Sequence, residues 1–219
     1  YAFCMCTNLN SFELPETRER IGKDAFFHTG WREAQTDDWK ICDGVLLAYD
    51  GKETSIIIPG DIRLIASGFL SNYSKVKNVT LSYGLESVSP GAFAGGESLT
   101  QVNFSSSVRR IEAEAFLDCT LLKTLQGMTN VEEIGDSAFN GCKALTTVEL
   151  PEPLTRLGSH AFQDCFDLVE ISIPHSLTEI EDHTFYGCIS LGDGGTVALS
   201  TTKLQYLGAM AVVDCTSLR

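Results

Sequence analysis

A phenylalanine recurs along this chain at an almost constant interval of 23 residues. The recurring residues are Phe3, Phe26, Phe69, Phe93, Phe116, Phe139, Phe162 and Phe185, with gaps of 23, 43, 24, 23, 23, 23 and 23. Alanine precedes most of them, and an aliphatic residue, such as Leu64 or Val88, lies five positions earlier. One unit of this length cannot enclose its own apolar face, so neighbouring units must stack. The period therefore predicts a solenoid with a continuous aromatic stack.

Each unit also contains a segment with the alternation of a half-buried β-strand. These segments are 99–104, 122–127, 145–151 and 168–173. In the third, Val148 and Leu150 flank polar Glu149, which is the period of a strand with one buried face. Such strands can pair only with those of the next unit, about 4.7–4.9 Å away in a parallel sheet. Around the phenylalanine, Ser137 as a cap and Gly141 as a stop predict one short helical turn per unit.

The long gap between Phe26 and Phe69 contains an insertion. Its β-type runs, 39–42, 45–49 and 54–58, are separated by Asp-Gly pairs. Because Asp-Gly favours hairpin turns, the run from 39 to 58 predicts a small meander with β-hairpins. We divide the chain into N-terminal repeats (1–26), an irregular insert with a β-hairpin (27–63) and a C-terminal repeat array (64–219). Both ends fall partway through a unit, so we expect a longer array.

Charge and hydropathy narrow the range of partners. There are 29 acidic and 16 basic residues, which gives a formal charge of -13. This charge would repel a phosphate backbone or an anionic bilayer, so we expect no nucleic-acid partner. No apolar run reaches the length of a membrane span, so we expect no direct membrane insertion in this segment.

Six of the eight cysteines follow the repeat. Cys6, Cys119, Cys142, Cys165, Cys188 and Cys215 lie three positions after the phenylalanine column, which ends in Val212. We expect a ladder of buried, free thiols, because side chains that run parallel do not face each other as a disulfide requires. Cys4 and Cys42 lie outside the column and form the one plausible pair, whose oxidation stays open.

No other motif points to chemistry. The four histidines follow no ligand spacing and are expected in exposed loops, and no zinc, phosphate-binding or nucleophile motif occurs. We therefore expect no metal, no cofactor and no enzymatic activity.

The repeat, I-G-x-x-A-F-x-x-C-x-x-L with L-P after the strand, resembles the BspA-like leucine-rich repeats of bacterial and protozoan surface proteins. Its period lies within the leucine-rich-repeat range of about 20–29 residues. The usual Asn is missing, and Pro15, Pro151 and Pro174 stand nearby instead. D-G-V-L-L-x-Y in the insert also resembles an irregular unit of that family. The resemblance implies a curved leucine-rich-repeat solenoid at the cell surface or outside the cell, where relatives act as adhesins toward host matrix proteins or other cells.

Outward positions of the strands are the candidate partner-binding residues. They are Asn78, Thr80, Gln101, Asn103, Thr124, Gln126, Thr147, Glu149, Glu170 and Ser172, to which the insert adds Trp31 and Trp39. Alternation alone would also make this face polar, and the tryptophans could simply pack the insert onto the solenoid.

Two functions follow from this surface. The first is a non-enzymatic binding module of an adhesin-like surface protein, with a protein or glycan as partner and a basic partner patch favoured. The second is a structural spacer or stalk. An adhesive module should expose an apolar patch, expected around Trp31, Trp39 and Tyr49, and a spacer should not.

Overall fold

The computed structural model describes residues 1–15, 20–70, 75–193 and 203–217, which wind into stacked coils with two short β-strands in most coils. The strands are β1 (Trp39–Cys42), β2 (Val45–Tyr49), β3 (Ser55–Ile57), β4 (Leu64–Ile65), β5 (Asn78–Thr80), β6 (Ser87–Val88), β7 (Gln101–Asn103), β8 (Arg110–Ile111), β9 (Thr124–Gln126), β10 (Glu133–Ile134), β11 (Thr147–Glu149), β12 (Arg156–Leu157), β13 (Glu170–Ser172), β14 (Glu179–Ile180) and β15 (Tyr206–Leu207). Helix α1 (Gly30–Glu33) spans four residues.

The predicted strands form the first of two parallel ladders. β3, β5, β7 and β9 pair in that order, and β11 pairs with β13, each time with a register of 23 residues. In each of β5, β7, β11 and β13 the middle residue is buried between two more exposed neighbours, as the alternation requires. The solenoid prediction is therefore confirmed.

A second ladder follows the aliphatic column. β6, β8, β10 and β12 pair in parallel, and β14 pairs with β15. Each strand has only two residues, of which Val88, Ile111 and Ile134 are fully buried. The aliphatic column is visible in the sequence as part of the repeat, but its pattern did not predict strands there.

The predicted helical turn around each phenylalanine is wrong. Asn140 N–H donates to the Ser137 carbonyl at 3.2 Å, but φ is +55° at Ser137 and +74° at Gly141, so the chain forms successive tight turns. The N–H of Phe139 donates to the Ala161 carbonyl of the next coil at 2.8 Å. Because every second amide of this segment, at Ser137, Phe139 and Gly141, donates to the next coil, these amides are not free to close the hydrogen bonds of a helix.

The insert forms one of its two predicted hairpins. β1 and β2 are antiparallel around Asp43-Gly44, both with positive φ. The second predicted hairpin is wrong, since β3 does not fold back on β2 but pairs in parallel with β5. β2 pairs in parallel with β4, so the insert continues into the repeats as part of both ladders.

The aromatic stack is regular over five coils. The ring centroids from Phe93 to Phe162 lie 5.1–5.2 Å apart with interplanar angles of 2–10°, and Phe185 continues the stack at 5.9 Å. The stack is interrupted at the insert, where Trp39 lies over Phe69 at 6.5 Å and Phe26 belongs to a separate cluster.

One coil has one residue fewer between its buried aliphatic residue and its phenylalanine. Ile65 precedes Phe69 by four positions, whereas Val88 precedes Phe93 by five. Ile65 is fully buried, so Leu64, placed in the aliphatic column by the sequence analysis, is not the column residue. The Phe69 ring consequently meets Phe93 edge-on, at 84°.

Candidate functional site

The polar side chains of the first ladder bond to one another across neighbouring coils. Asn78 Nδ2 donates to Ser55 Oγ at 2.9 Å, and Asn103 Nδ2 donates to Thr80 Oγ1 at 3.2 Å. Gln101 Nε2 donates to Asn103 Oδ1 at 2.9 Å. These bonds fix the side chains of β3, β5 and β7 in a preorganised amide and hydroxyl surface.

This ladder is broken between β9 and β11. Among the described residues, β9 pairs with β7 and β11 with β13, but no main-chain hydrogen bond joins β9 to β11. The N–H of Lys123 donates to the Thr100 carbonyl at 2.9 Å, whereas the N–H of Thr146, its counterpart one coil later, has no such partner.

Gly127 accounts for the break. It occupies the column that holds the buried Phe104 and Leu150 in the neighbouring coils, and its φ is +80°. A left-handed residue turns the chain out of the strand, and Met128 takes the core position instead. A Cβ atom on Gly127 would lie 2.5 Å from the Phe104 carbonyl oxygen, so glycine alone fits there.

The break opens a cleft of about 600 Å³ on the polar face. Leu125 lines it and is only partly buried, unlike the middle residues of β5, β7, β11 and β13. Pro151 and Pro153 form part of its wall, and Glu149 and Glu152 give it negative charge. Among the described residues that line the cleft, none is a histidine, cysteine, lysine or arginine.

Four of the candidate residues meet in this cleft, and the others lie on either side of it. Thr124, Gln126, Thr147 and Glu149 line the cleft; Asn78, Thr80, Gln101 and Asn103 lie in the bonded surface; Glu170 and Ser172 are exposed on β13. The sequence analysis missed Leu125, Gly127 and Met128. The signal that could have found them is the glycine in an otherwise apolar column.

The two tryptophans are partly buried in contacts of the insert. Trp31 meets Phe12 edge-on at 5.0 Å, and Trp39 contacts Tyr49 at 4.5 Å between centroids. The large exposed hydrophobic residues near the first ladder are instead Ile57, on β3, and Tyr83, which are 67% and 77% exposed.

The thiol ladder is confirmed for five of its six predicted members. The buried members are Cys119, Cys142, Cys165, Cys188 and Cys215. Each thiol donates at 3.1–3.3 Å to the main-chain carbonyl of a phenylalanine in the preceding coil. That phenylalanine lies 26 residues earlier in the chain, or 30 residues earlier for Cys215. Cys6 is exposed, contrary to the prediction. None of the eight cysteines, all of which lie in the described ranges, forms a disulfide, and this includes Cys4 and Cys42.

Two of the four histidines differ from the prediction. His28 and His175 are exposed, as expected, but His160 and His183 are partly buried and their rings stack at 4.7 Å. Within the described ranges, no three His, Cys, Asp or Glu side chains are grouped as metal ligands. The helical structure of these ranges has neither the length nor the apolar character of a membrane crossing.

Known structures share this architecture. A leucine-rich repeat protein from T. pallidum superimposes with a TM-score of 0.73 at 24% identity, over 80% of this chain and 82% of that one. A leucine-rich cell surface protein from Faecalibacterium prausnitzii gives 0.67 at 26% identity, over 80% of this chain and 48% of that one. A leucine-rich repeat protein from Bacteroides ovatus superimposes with a TM-score of 0.58 at 20% identity, over 97% of this chain and 54% of that one. The chain thus spans about half the length of the last two.

No curated protein matches the chain. The family described as "BspA type Leucine rich repeat region" matches in six copies, over residues 1–123, 46–169 and 121–219. Together these matches reach from one end of the sequence to the other, and the paired strands and stacked phenylalanines are the repeats that they describe. The chain belongs to the BspA-type leucine-rich repeat family.

Proposed function

We propose that this chain is a non-enzymatic binding module of an adhesin-like cell-surface protein and holds a partner protein in the cleft between β9 and β11. The observation that carries the proposal is the broken ladder, which leaves Leu125 only partly buried in a concave site and leaves the N–H of Thr146, next to cleft-lining Thr147, without the main-chain partner of its counterparts. Where the repeated strand pairing of a solenoid is interrupted, the surface differs from that of the other coils and can form a distinct site. The surface location draws on the family and on the F. prausnitzii relative, which is described as a cell surface protein.

The lining favours an extended protein segment with a basic side chain. Glu149 and Glu152 attract a lysine or arginine, while Leu125 accepts an apolar neighbour of that residue. Thr146 adjoins cleft-lining Thr147, and its N–H makes no main-chain bond among the described residues, so it can donate to a main-chain carbonyl of a segment that extends past the cleft, as in the addition of a strand to a sheet edge. A glycan would use the hydroxyl and carboxylate groups but would leave the apolar contact unused.

The test compares capture by immobilised wild-type protein and two matched variants on a panel of purified extracellular-matrix proteins and glycans. Thr147→Arg places a bulky cation in the cleft, whereas Thr155→Arg makes the same change at an exposed threonine outside it. We expect Thr147→Arg to reduce capture of a bound protein at least about tenfold, by filling the site and repelling a basic segment. Thr155→Arg should retain capture. Equal capture by both variants would contradict the proposal.

Trp31 and Trp39 are tested in the same assay, because they were candidates on the sequence. Loss of capture in Trp31→Ala together with normal capture in Thr147→Arg would locate binding at the insert and overturn the cleft proposal.

A spacer is the second candidate function. It is favoured by the amide surface of β3, β5 and β7, whose side chains already satisfy one another, and by the packing of both tryptophans. A spacer requires only stacked coils, so absence of capture across the whole panel by folded wild-type protein would favour it.

A further inference from the structure

The second ladder is also broken, between β4 and β6. Among the strands that the structure describes, β4 pairs with β2 and β6 with β8, but β4 does not pair with β6. The N–H of Ile65 donates at 3.2 Å to the side-chain oxygen of Ser89, where a regular coil would supply a main-chain carbonyl. The missing residue between Ile65 and Phe69 shifts this coil. A cleft with a volume of about 550 Å³ lies at this break. Its volume is within the usual range of small-ligand sites, about 300–1,000 Å³.

Three separate segments each contribute an arginine to the lining of this cleft. Arg20, Arg63 and Arg110 line it, in a chain that has only 16 basic residues against 29 acidic ones. Arg110 is partly neutralised, because its Nε lies 3.2 Å from Glu112 Oε1. The ion pairs and side-chain hydrogen bonds found among the described residues include neither Arg20 nor Arg63.

The rest of the lining is polar and partly fixed. Ser87 Oγ donates at 2.8 Å to the same Glu112 oxygen that binds Arg110, so this side of the cleft is held in one arrangement. Glu86 also lines the cleft and makes no ion pair among the described residues. The site therefore combines two guanidinium groups without a counterion and one carboxylate without a cation.

We propose that this cleft binds an acidic glycan, through sulfate or carboxylate groups on the arginines and sugar hydroxyls on Glu86. Guanidinium groups bind such anions in a bidentate manner, with charge-assisted hydrogen bonds. A carboxylate accepts hydrogen bonds from hydroxyl groups, but it repels a bare phosphate or the side chains of an acidic peptide. Glu86 is thus the residue that favours an acidic sugar over other anions.

The acidity of the whole chain is compatible with this site. Charges more than about 8 Å apart are largely screened at physiological ionic strength, so a bound anion interacts mainly with the side chains that line the cleft. This cleft lies on the second ladder, whereas the cleft between β9 and β11 lies on the first. The two proposals can therefore be tested independently of each other.

The test is calorimetric titration at about 0.15 M salt with three tetrasaccharides. They are chondroitin sulfate, its desulfated form, which keeps only carboxylates, and neutral chitotetraose. Wild-type protein should bind at least one acidic tetrasaccharide and not the neutral one. Binding of the desulfated form as well as the sulfated one would identify carboxylate as sufficient, and binding of the sulfated form alone would identify sulfate. Failure to bind either acidic tetrasaccharide would overturn the proposal.

Matched variants locate the binding. Arg20→Gln and Arg63→Gln should each weaken it about tenfold or more, which is the loss expected for hydrogen bonds to a charged group. Arg109→Gln is the control, because Arg109 neighbours Arg110 in sequence and does not line the cleft. Wild-type affinity in both cleft variants, or an equal loss in Arg109→Gln, would overturn the site. Unchanged thermal unfolding midpoints verify that the variants fold.

Glu86→Gln tests whether the cleft recognises the hydroxyl groups of a sugar or only a negative charge. It removes the negative charge and weakens the acceptor, so affinity for the acidic tetrasaccharide should fall if the carboxylate binds hydroxyls. A rise in affinity would show that Glu86 only repels the ligand, and would contradict its assigned role.

Discussion

At the scale of single residues, the buried cysteines link each coil to the coil before it. The Cys142 thiol fills a small core position and donates to the Phe116 carbonyl at 3.3 Å, which also accepts the N–H of Cys119 at 3.1 Å. Burial raises the pKa of Cys142 and Cys165 well above the ordinary thiol value, because desolvation disfavours the thiolate. These thiols are therefore structural and poorly reactive while the coil is folded.

The shifted thiols predict a loss of stability at alkaline pH. Desolvation raises the pKa of Cys119 from 9.0 to about 12. Since the folded pKa is the higher one, the contribution to stability is fully present below pH 9 and is lost as pH rises toward 12. The free energy of unfolding should therefore fall more steeply above pH 9 in wild type than in Cys119→Ala, by up to about 1.4 kcal/mol per pH unit. Denaturant titrations between about pH 8 and about pH 10.5 measure both slopes, and equal slopes would contradict the prediction.

At the scale of one strand, Gly127 shows how a single position ends a ladder. The strand β9 keeps the polar alternation of its neighbours, but a left-handed residue replaces the second buried side chain. The main chain of β9 then leaves the register that β11 would need.

Alanine at Gly127 should destabilise the protein. The left-handed conformation costs an L-residue about 1–2 kcal/mol, and the Cβ would meet the Phe104 carbonyl oxygen at 2.5 Å. Gly22→Ala is the control, because no atom lies within 4 Å of its Cβ position and its φ is not left-handed. We expect Gly127→Ala to lower the free energy of unfolding by at least about 1–2 kcal/mol and Gly22→Ala to leave it within about 1 kcal/mol of wild type. Wild-type stability of Gly127→Ala would refute the account of the break.

The elements that the sequence predicts are those set by a local pattern. The strand around Val148 follows from alternation, and the Asp43-Gly44 hairpin from its turn residues. Two-residue strands such as Arg110–Ile111 have no alternation to detect. The hairpin predicted at Asp50-Gly51 does not form. The local turn signal competes there with parallel pairing at a register of 23 residues, and β3 pairs with β5 instead.

The same reasoning explains what was found of the candidate site. Outward columns, such as those of Thr124 and Thr147, follow from the repeat and can be read directly. The cleft between them depends on how far one coil is displaced from the next, which no single unit encodes. The sequence feature that marks this cleft is Gly127 in an otherwise apolar column. The feature that marks the arginine-lined cleft is the one-residue deletion before Phe69.

At the scale of the whole molecule, stability and recognition have separate origins. Stacked rings, thiols and paired strands repeat from coil to coil, as expected where each repeat contacts only its neighbours. The two clefts lie where one ladder or the other fails to pair. The two clefts therefore differ in chemistry, and we propose them as separate binding sites, one acidic with an apolar contact and one lined by arginines.

The most direct test of this account is amide hydrogen exchange at equivalent positions of successive coils. The amides of Thr100, Lys123 and Val169 each donate to the preceding coil, at 2.7–2.9 Å, while the described main-chain bonds include none from Thr146. We predict slow exchange at the first three amides and fast exchange at Thr146, because only an amide without a hydrogen bond exchanges without opening of the coil. Protection of Thr146 equal to that of Lys123 would mean that the ladder is continuous, and would contradict both the break and the cleft it forms.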